Sequence, residues 1–182
     1  KPRIRQKPKL TIICDISGSM ALNSLFGVTL LYGMVTKFAS IRAYVFIDGI
    51  TDISKTLRHI KKNEIESIFS RWSEFVKSDG HSDYQKSFEE LIESDTSEKG
   101  TLIVIGDARN NYRNISENLI INLKNKYKKI FWINPEQKKY WNTGDSQMKK
   151  FQEINFKTSE VRNYKQLKGF IKELDFKKVL TS

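Results

Sequence analysis

Leu10-Thr11-Ile12-Ile13-Cys14 is a short unbroken run of apolar and β-branched residues that stops at a carboxylate, Asp15. A run without polar alternation suits a strand of a parallel sheet covered on both faces. From Met20 the spacing turns helical. Leu22, Leu25, Phe26, Thr29, Leu30, Gly33, Met34 and Phe38 recur three or four apart and predict a helix ending near Ala39. Ile41 to Ile47 is a second strand. Asp48-Gly49 is a turn dipeptide, after which Ile50 to Ile53 returns antiparallel as a short edge strand. Asn63 to Phe75 predicts a helix with Ile65, Ile68, Phe69 and Trp72 on one side, ended by Asp79-Gly80.

The second half repeats the alternation. Asp83 to Ile92 is helical through Tyr84, Phe88, Leu91 and Ile92, and Gly100 to Gly106 encloses the most apolar run, Leu102-Ile103-Val104-Ile105, again followed by a carboxylate, Asp107. Ile115 to Leu123 is helical with Asn114 or Ser116 as its cap, and Ile130 to Ile133 is a strand stopped by Asn134-Pro135. A polar loop with Trp141 and Gly144-Asp145 leads to a short helix around Gln147 to Phe151, a weak strand near Phe156, and an amphipathic helix from Tyr164 to Leu174. Alternating strands and helices predict an α/β fold: a doubly wound, mainly parallel sheet with helices on both faces and one short antiparallel edge strand. Ligands of such sheets sit beyond the carboxyl ends of the strands, where the winding reverses.

Composition narrows the class. With 182 residues, 38% of them hydrophobic, the chain can bury a single core, and 9 Gly and 3 Pro are too few for a low-complexity chain. No apolar run reaches the length of a membrane helix, and Leu10 to Ile16 is too short for a signal-peptide core. The lone Cys14 leaves no internal disulfide, in keeping with a soluble protein of a reducing, cytoplasmic compartment. Residues 1–9, basic and carrying Pro2 and Pro8, read as the remnant of a linker from a longer protein, with one domain over 10–182. The net charge of +11 fits a lysine-rich solvated surface better than a nucleic-acid site, because the doublets Lys128-Lys129, Lys138-Lys139 and Lys149-Lys150 fall on different elements.

The chemistry is concentrated where the first strand ends. Asp15-Ile16-Ser17-Gly18-Ser19 puts a carboxylate and two hydroxyls on one tight turn, which Gly18 lets bend sharply. Such oxygens form a hard donor set suited to Mg²⁺ or Mn²⁺ and poor for Zn²⁺. Taken alone, the pentapeptide is also compatible with an ordinary helix cap.

Asp15, Ser17 and Ser19 form the pattern Asp-x-Ser-x-Ser, and in this the chain resembles the von Willebrand factor type A (VWA) domains, with their metal-ion-dependent adhesion site (MIDAS). The resemblance implies a Rossmann-like VWA fold and two further site residues. By position these are Ser82, where the family usually has Thr, and Asp107. The stretches Gly106-Asp107-Ala108-Arg109-Asn110-Asn111-Tyr112, Trp132 to Glu136 and Trp141 to Ser146 are similar to motifs of the bacterial CoxE-like branch. That branch is associated with MoxR-type AAA+ ATPases.

The resemblance implies a protein-interaction domain and not an enzyme. Its Mg²⁺ or Mn²⁺ would keep one position open for an Asp or Glu of a protein partner, with no role for a membrane or nucleic acid. Two alternatives belong to other classes: a metal-dependent phosphate-ester hydrolase and a basic nucleic-acid-binding module. Against the first, a phosphoaspartyl enzyme needs a second Asp where Ser17 stands. His81 next to Ser82 invites a hydrolytic reading that nothing else supports. Asp83 is expected to be a helix-start charge, Asp145 a turn residue, His59 a surface residue, and Trp132 and Trp141 packing residues.

Overall fold

The computed structural model describes residues 10–37, 41–67, 70, 81–95, 99–154 and 156–173. The expected linker remnant, the Phe38–Ala39 end of the first helix and most of the helix expected over Asn63 to Phe75 lie outside the described residues.

Among the described residues there are six strands, β1 (Leu10–Asp15), β2 (Ile41–Phe46), β3 (Ile50–Asp52), β4 (Thr101–Ile105), β5 (Lys129–Asn134) and β6 (Lys157–Glu160). They form one sheet in the order β3-β2-β1-β4-β5-β6, with β3 alone antiparallel, on the outer edge beside β2. Among the described residues the helices include α1 (Ala21–Lys37), α2 (Ser54–His59), α3 (Tyr84–Ser94), α4 (Glu117–Lys126), α5 (Met148–Glu153) and α6 (Tyr164–Glu173).

The unbroken apolar runs follow from burial on both faces. In β1, Ile12 and Cys14 point into one apolar cluster with Val28 and Leu31 of α1. Ile13 points into the other, shared with Tyr84 and Phe88 of α3 and Trp132 of β5. Gly27 lets α1 lie close to β1, since a Cβ there would stand 2.6 Å from the Cys14 Sγ. Cys14 is fully buried and burial pushes its thiol up, so it is a packing residue rather than a nucleophile.

Three details depart from the pattern-based expectation. The α1 face turned inward is Gly27, Val28, Leu31, Met34 and Val35, while Thr29 is exposed and Leu25, Phe26, Leu30 and Gly33 flank it. Apolar residues encircle much of this helix, so their spacing left its rotation open. Ile53 does not extend β3. It stands before α2 as its buried N-terminal flank, and Ser54 Oγ accepts from Ala43 N at 2.9 Å, tying α2 to β2. Lys62–Glu64 is a 3₁₀ turn, and the helix expected from Asn63 opens only after it, at Ile65.

Because β1 and β4 are neighbours and their following segments cover opposite faces, the crevice beyond their carboxyl ends is the point where the winding reverses. Asp15 and Asp107 stand there. A third buried carboxylate, Asp95, is a brace elsewhere: it accepts from Thr11 Oγ1 at 2.6 Å and Tyr127 OH at 2.7 Å, with Arg42 at 3.8 Å.

Candidate metal centre

Two strand-end carboxylates use the same local device. Asp15 Oδ1 accepts from Ser17 N at 2.8 Å, and Asp107 Oδ1 accepts from Arg109 N at 2.9 Å. Each carboxylate thus folds back on the N–H two residues on and holds the chain in a sharp turn. After Asp15, Met20 N donates to Ser17 O, which closes the 3₁₀ turn Gly18–Met20 and leads into α1.

The fold brings the five sequence-derived residues together. Ser82 Oγ donates to Asp15 Oδ2 at 3.1 Å, and the Ser17 and Ser19 hydroxyls are 3.2 Å apart. Ser19 and Asp107 line one cavity. Oxygens of all five side chains thus gather beyond the ends of β1 and β4. Asp15, Ser17, Ser82 and Asp107 are buried, and Ser19 is exposed. Among the described residues no three or more His, Cys, Asp and Glu side chains are grouped so that they could hold a metal ion between them. The donors here are two carboxylates and three hydroxyls.

Burial pushes the Asp15 carboxyl up to about 7, and the nearby charge of Asp107 adds to this, against opposing hydrogen bonds from Ser17 and Tyr84. Asp107 is raised too, chiefly by burial, while the Arg109 N–H, Ser19 and the Arg109 charge pull it down. Two buried carboxylates that face each other raise one another's proton affinity, and a bound cation relieves both. On its chemistry the donor set fits a hard divalent cation.

Tyr84 completes the setting and was read from the sequence only as an apolar helix-face residue. Its OH donates to Asp15 Oδ2 at 2.8 Å and accepts from Ala108 N at 3.2 Å. Phe46 and Trp132 hold its ring at centroid distances of 4.8 and 5.6 Å. The available signal was that a tyrosine on a buried face must find a partner for its hydroxyl. Ala108 sits at φ +63°, a conformation costly for a residue with a Cβ and kept here by its contacts with Tyr84 and Gln147.

The loops after β4 and β5 interlock. Asn110 Oδ1 accepts from Tyr84 N at 2.8 Å, and Asn134 Nδ2 donates to Asp107 O at 3.2 Å. Arg109 lies between Glu136 at 2.6 Å and Asp145 at 2.9 Å, and Asp145 Oδ2 also accepts from Asn111 N. Asp145 is therefore no plain turn residue: Arg109 draws its loop onto the rim. Ser19, Asp107, Arg109, Glu136, Tyr140 and Arg162 are among the residues that line a cavity of about 300 Å³. Asp83 caps α3, accepting from Lys86 N at 3.0 Å, and pairs with Arg113. Trp132 and Trp141 are buried, and His59 and His81 are exposed.

Arg109→Ala is expected to cost about 1–3 kcal/mol, because it leaves two partly buried carboxylates beside Asp107 without their cation. Arg109→Lys should recover less than half, since a single ammonium cannot grip both acids as the guanidinium fork does. Chemical denaturation of the three proteins checks this; full rescue by Lys would remove the fork from the account.

The sheet order and the strand-end site define an α/β domain of the VWA type. The chain belongs to the CoxE-like VWA family: the family described as "VWA domain containing CoxE-like protein" matches residues 1–170. Among solved structures it is similar to the BatB protein of Bacteroides thetaiotaomicron, with a TM-score of 0.62 and 14% identity over 96% of this chain and 100% of that one. An aerotolerance-related membrane protein of Bacteroides fragilis gives 0.57 and 12% over 94% and 99%. Proximal thread matrix protein 1 of the mussel byssus gives 0.55 and 14% over 91% of this chain and 44% of that one. At these identities the likeness concerns the fold. None of the curated proteins compared is a significant match. Among the described residues no helix is long and apolar enough to cross a membrane.

Proposed function

We propose that this domain is a metal-dependent protein-interaction module and not an enzyme. In this reading Asp15, Ser17, Ser19, Ser82 and Asp107 hold Mg²⁺ or Mn²⁺, and an Asp or Glu of a partner protein completes the coordination. The observation that carries it is the convergence of these side chains at the reversal point of the sheet, where Ser82 donates to Asp15, the Ser17 and Ser19 hydroxyls are 3.2 Å apart, and Ser19 and Asp107 line one cavity. Both oxygens of Asp15 already accept hydrogen bonds, so its contribution is charge and a water-bridged contact, while Ser17 and Ser19 offer hydroxyl oxygens nearer the mouth. With few carboxylates to neutralise it, the cation attracts an incoming acid strongly. Membership of the CoxE-like family supports work within a MoxR-type AAA+ ATPase-linked assembly or maturation system, and the lone Cys14 supports a reducing cytoplasmic compartment.

Binding to the folded state alone stabilises it. At about 100 times the dissociation constant the gain is roughly 2.7 kcal/mol, so Mg²⁺ or Mn²⁺ should raise the melting temperature and Asp15→Ala should abolish the rise. No shift at saturating cation would sink the reading. With a MoxR-type ATPase supplied as partner, complex formation should require the cation and be lost when one partner carboxylate is replaced. Undiminished binding in excess chelator would refute the clamp. Phosphate-ester turnover lost in Asp15→Ala would favour the hydrolase alternative instead.

A further inference from the structure

The lysines look scattered along the chain, yet the fold gathers four of them. Lys124 near the end of α4, Lys128 and Lys129 where β5 begins, and Lys157 at the start of β6 surround one groove of about 200 Å³. Ile154 and Phe156 contribute to its apolar lining. The groove lies at the amino-terminal ends of β5 and β6, whereas Asp15 and Asp107 stand at the carboxyl ends of β1 and β4, so the two places occupy opposite rims of the sheet. Lys124, Lys128 and Lys157 are exposed. Among the described residues no Asp or Glu borders the groove, and Glu153, next to Ile154 in sequence, is engaged by Lys149 at 3.8 Å.

We propose that this groove docks an acidic segment of a protein partner, in which one aromatic or large aliphatic side chain enters the cleft and flanking carboxylates meet the lysines. Charge complementarity selects the flanks, since four cations border the groove and no anion does. Size selects the anchor: the volume is below the roughly 300–1,000 Å³ of a small-molecule pocket and accommodates a single side chain. An anchor in a desolvated cleft within a polar rim is the usual source of interface affinity. A nucleic acid would use the lysines but not the cleft, because Phe156 and Tyr127 are 6% and 2% exposed and offer no open ring face for base stacking. The proposal does not depend on the metal reading.

The test is a nuclear magnetic resonance titration of the isotope-labelled protein, in chelator and at physiological salt. The probes are a synthetic acidic peptide with a central Phe, the same peptide with Ser in its place, and an oligothymidylate. The Phe peptide should shift amides over residues 124–130 and 156–159 and leave Asp107 to Asn111 unmoved. Replacing Phe by Ser should weaken binding about tenfold. The double variant Lys128→Glu, Lys157→Glu should weaken it by at least as much with the protein still folded, since both side chains are exposed and the contact given up, Lys157 Nζ over the Phe131 ring at 5.6 Å, is a surface cation–π pair. No shifts at millimolar peptide, equal binding of the Ser peptide, or tighter binding of the oligothymidylate would overturn the proposal.

Discussion

Gly106→Ala is expected to destabilise the domain by about 1–3 kcal/mol and to remove divalent-cation binding, although it adds only one methyl group. A Cβ at this position would stand 2.2 Å from the Tyr84 hydroxyl and 3.1 Å from the Asp15 Cβ. Tyr84 cannot swing aside, because Phe46, Phe88 and Trp132 pack round its ring. Relief must come from a shift of β4 or from withdrawal of the hydroxyl from Asp15 Oδ2. The first strains a core packed on both faces, at about 1–3 kcal/mol. The second leaves a buried carboxylate short of a donor, also at about 1–3 kcal/mol. The discriminating experiment is a double-mutant cycle with Tyr84→Phe, which deletes the clashing oxygen. If the clash is the cause, the double variant should be more stable than the sum of the single effects implies, by more than the roughly 0.5 kcal/mol of ordinary additivity. Strict additivity would show that Gly106 matters for another reason.

The dependence of Asp15 on Tyr84 also marks where the sequence stops being informative. Strands β1, β2, β4 and β5 were legible because burial on both faces leaves continuous apolar runs, and the carboxylates that end two of those runs pointed to the reversal point. The Asp-x-Ser-x-Ser turn is a local signal, so it could be read without knowledge of tertiary contacts. Ser82 and Asp107 came from the family resemblance, since nothing local says that residues 67 apart in sequence, Ser82 and Asp15, share a hydrogen bond. The packing phase of α1 was not legible: Leu25, Phe26, Leu30 and Leu31 offer several apolar faces, and the contact of Gly27 with Cys14 decides among them. Helix α2 was missed because its six residues carry only Leu57 as a buried apolar side chain, too little for a periodic pattern. Asp145 was misjudged for a related reason. Its partner, Arg109, is 36 residues earlier, and long-range ion pairs leave no trace in spacing.

Removing divalent cations should invert the pH dependence of stability near neutrality. The Asp15 carboxyl rises from 3.8 to about 7 in the folded, metal-free protein, chiefly through burial and then through Asp107, which is raised in the same direction. A carboxyl whose folded value lies above its unfolded value binds protons more tightly in the native state. Its contribution is fully present below about pH 4 and is lost as the pH rises through about 7. In chelator the domain should therefore grow more stable on acidification from pH 8 to pH 5, by an amount on the order of 2–3 kcal/mol, the rest of the shift being expressed only between pH 5 and the unfolded value near 4. Glu160 is shifted the other way, by the Lys138 N–H first, and so acts only below the ordinary carboxylate range, outside this window. Saturating Mg²⁺ or Mn²⁺ competes with the proton for the same charge. It should stabilise the protein most at pH 8, little at pH 5, and reverse the slope between them. Asp15→Asn, neutral at every pH, should flatten the chelator curve and remove its response to the cation. Thermal melts of both proteins across this range, with chelator and with cation, decide the matter. A wild-type curve in chelator that is flat, or that falls on acidification, would mean that the two carboxylates do not share the buried, mutually repelling setting on which the metal centre rests.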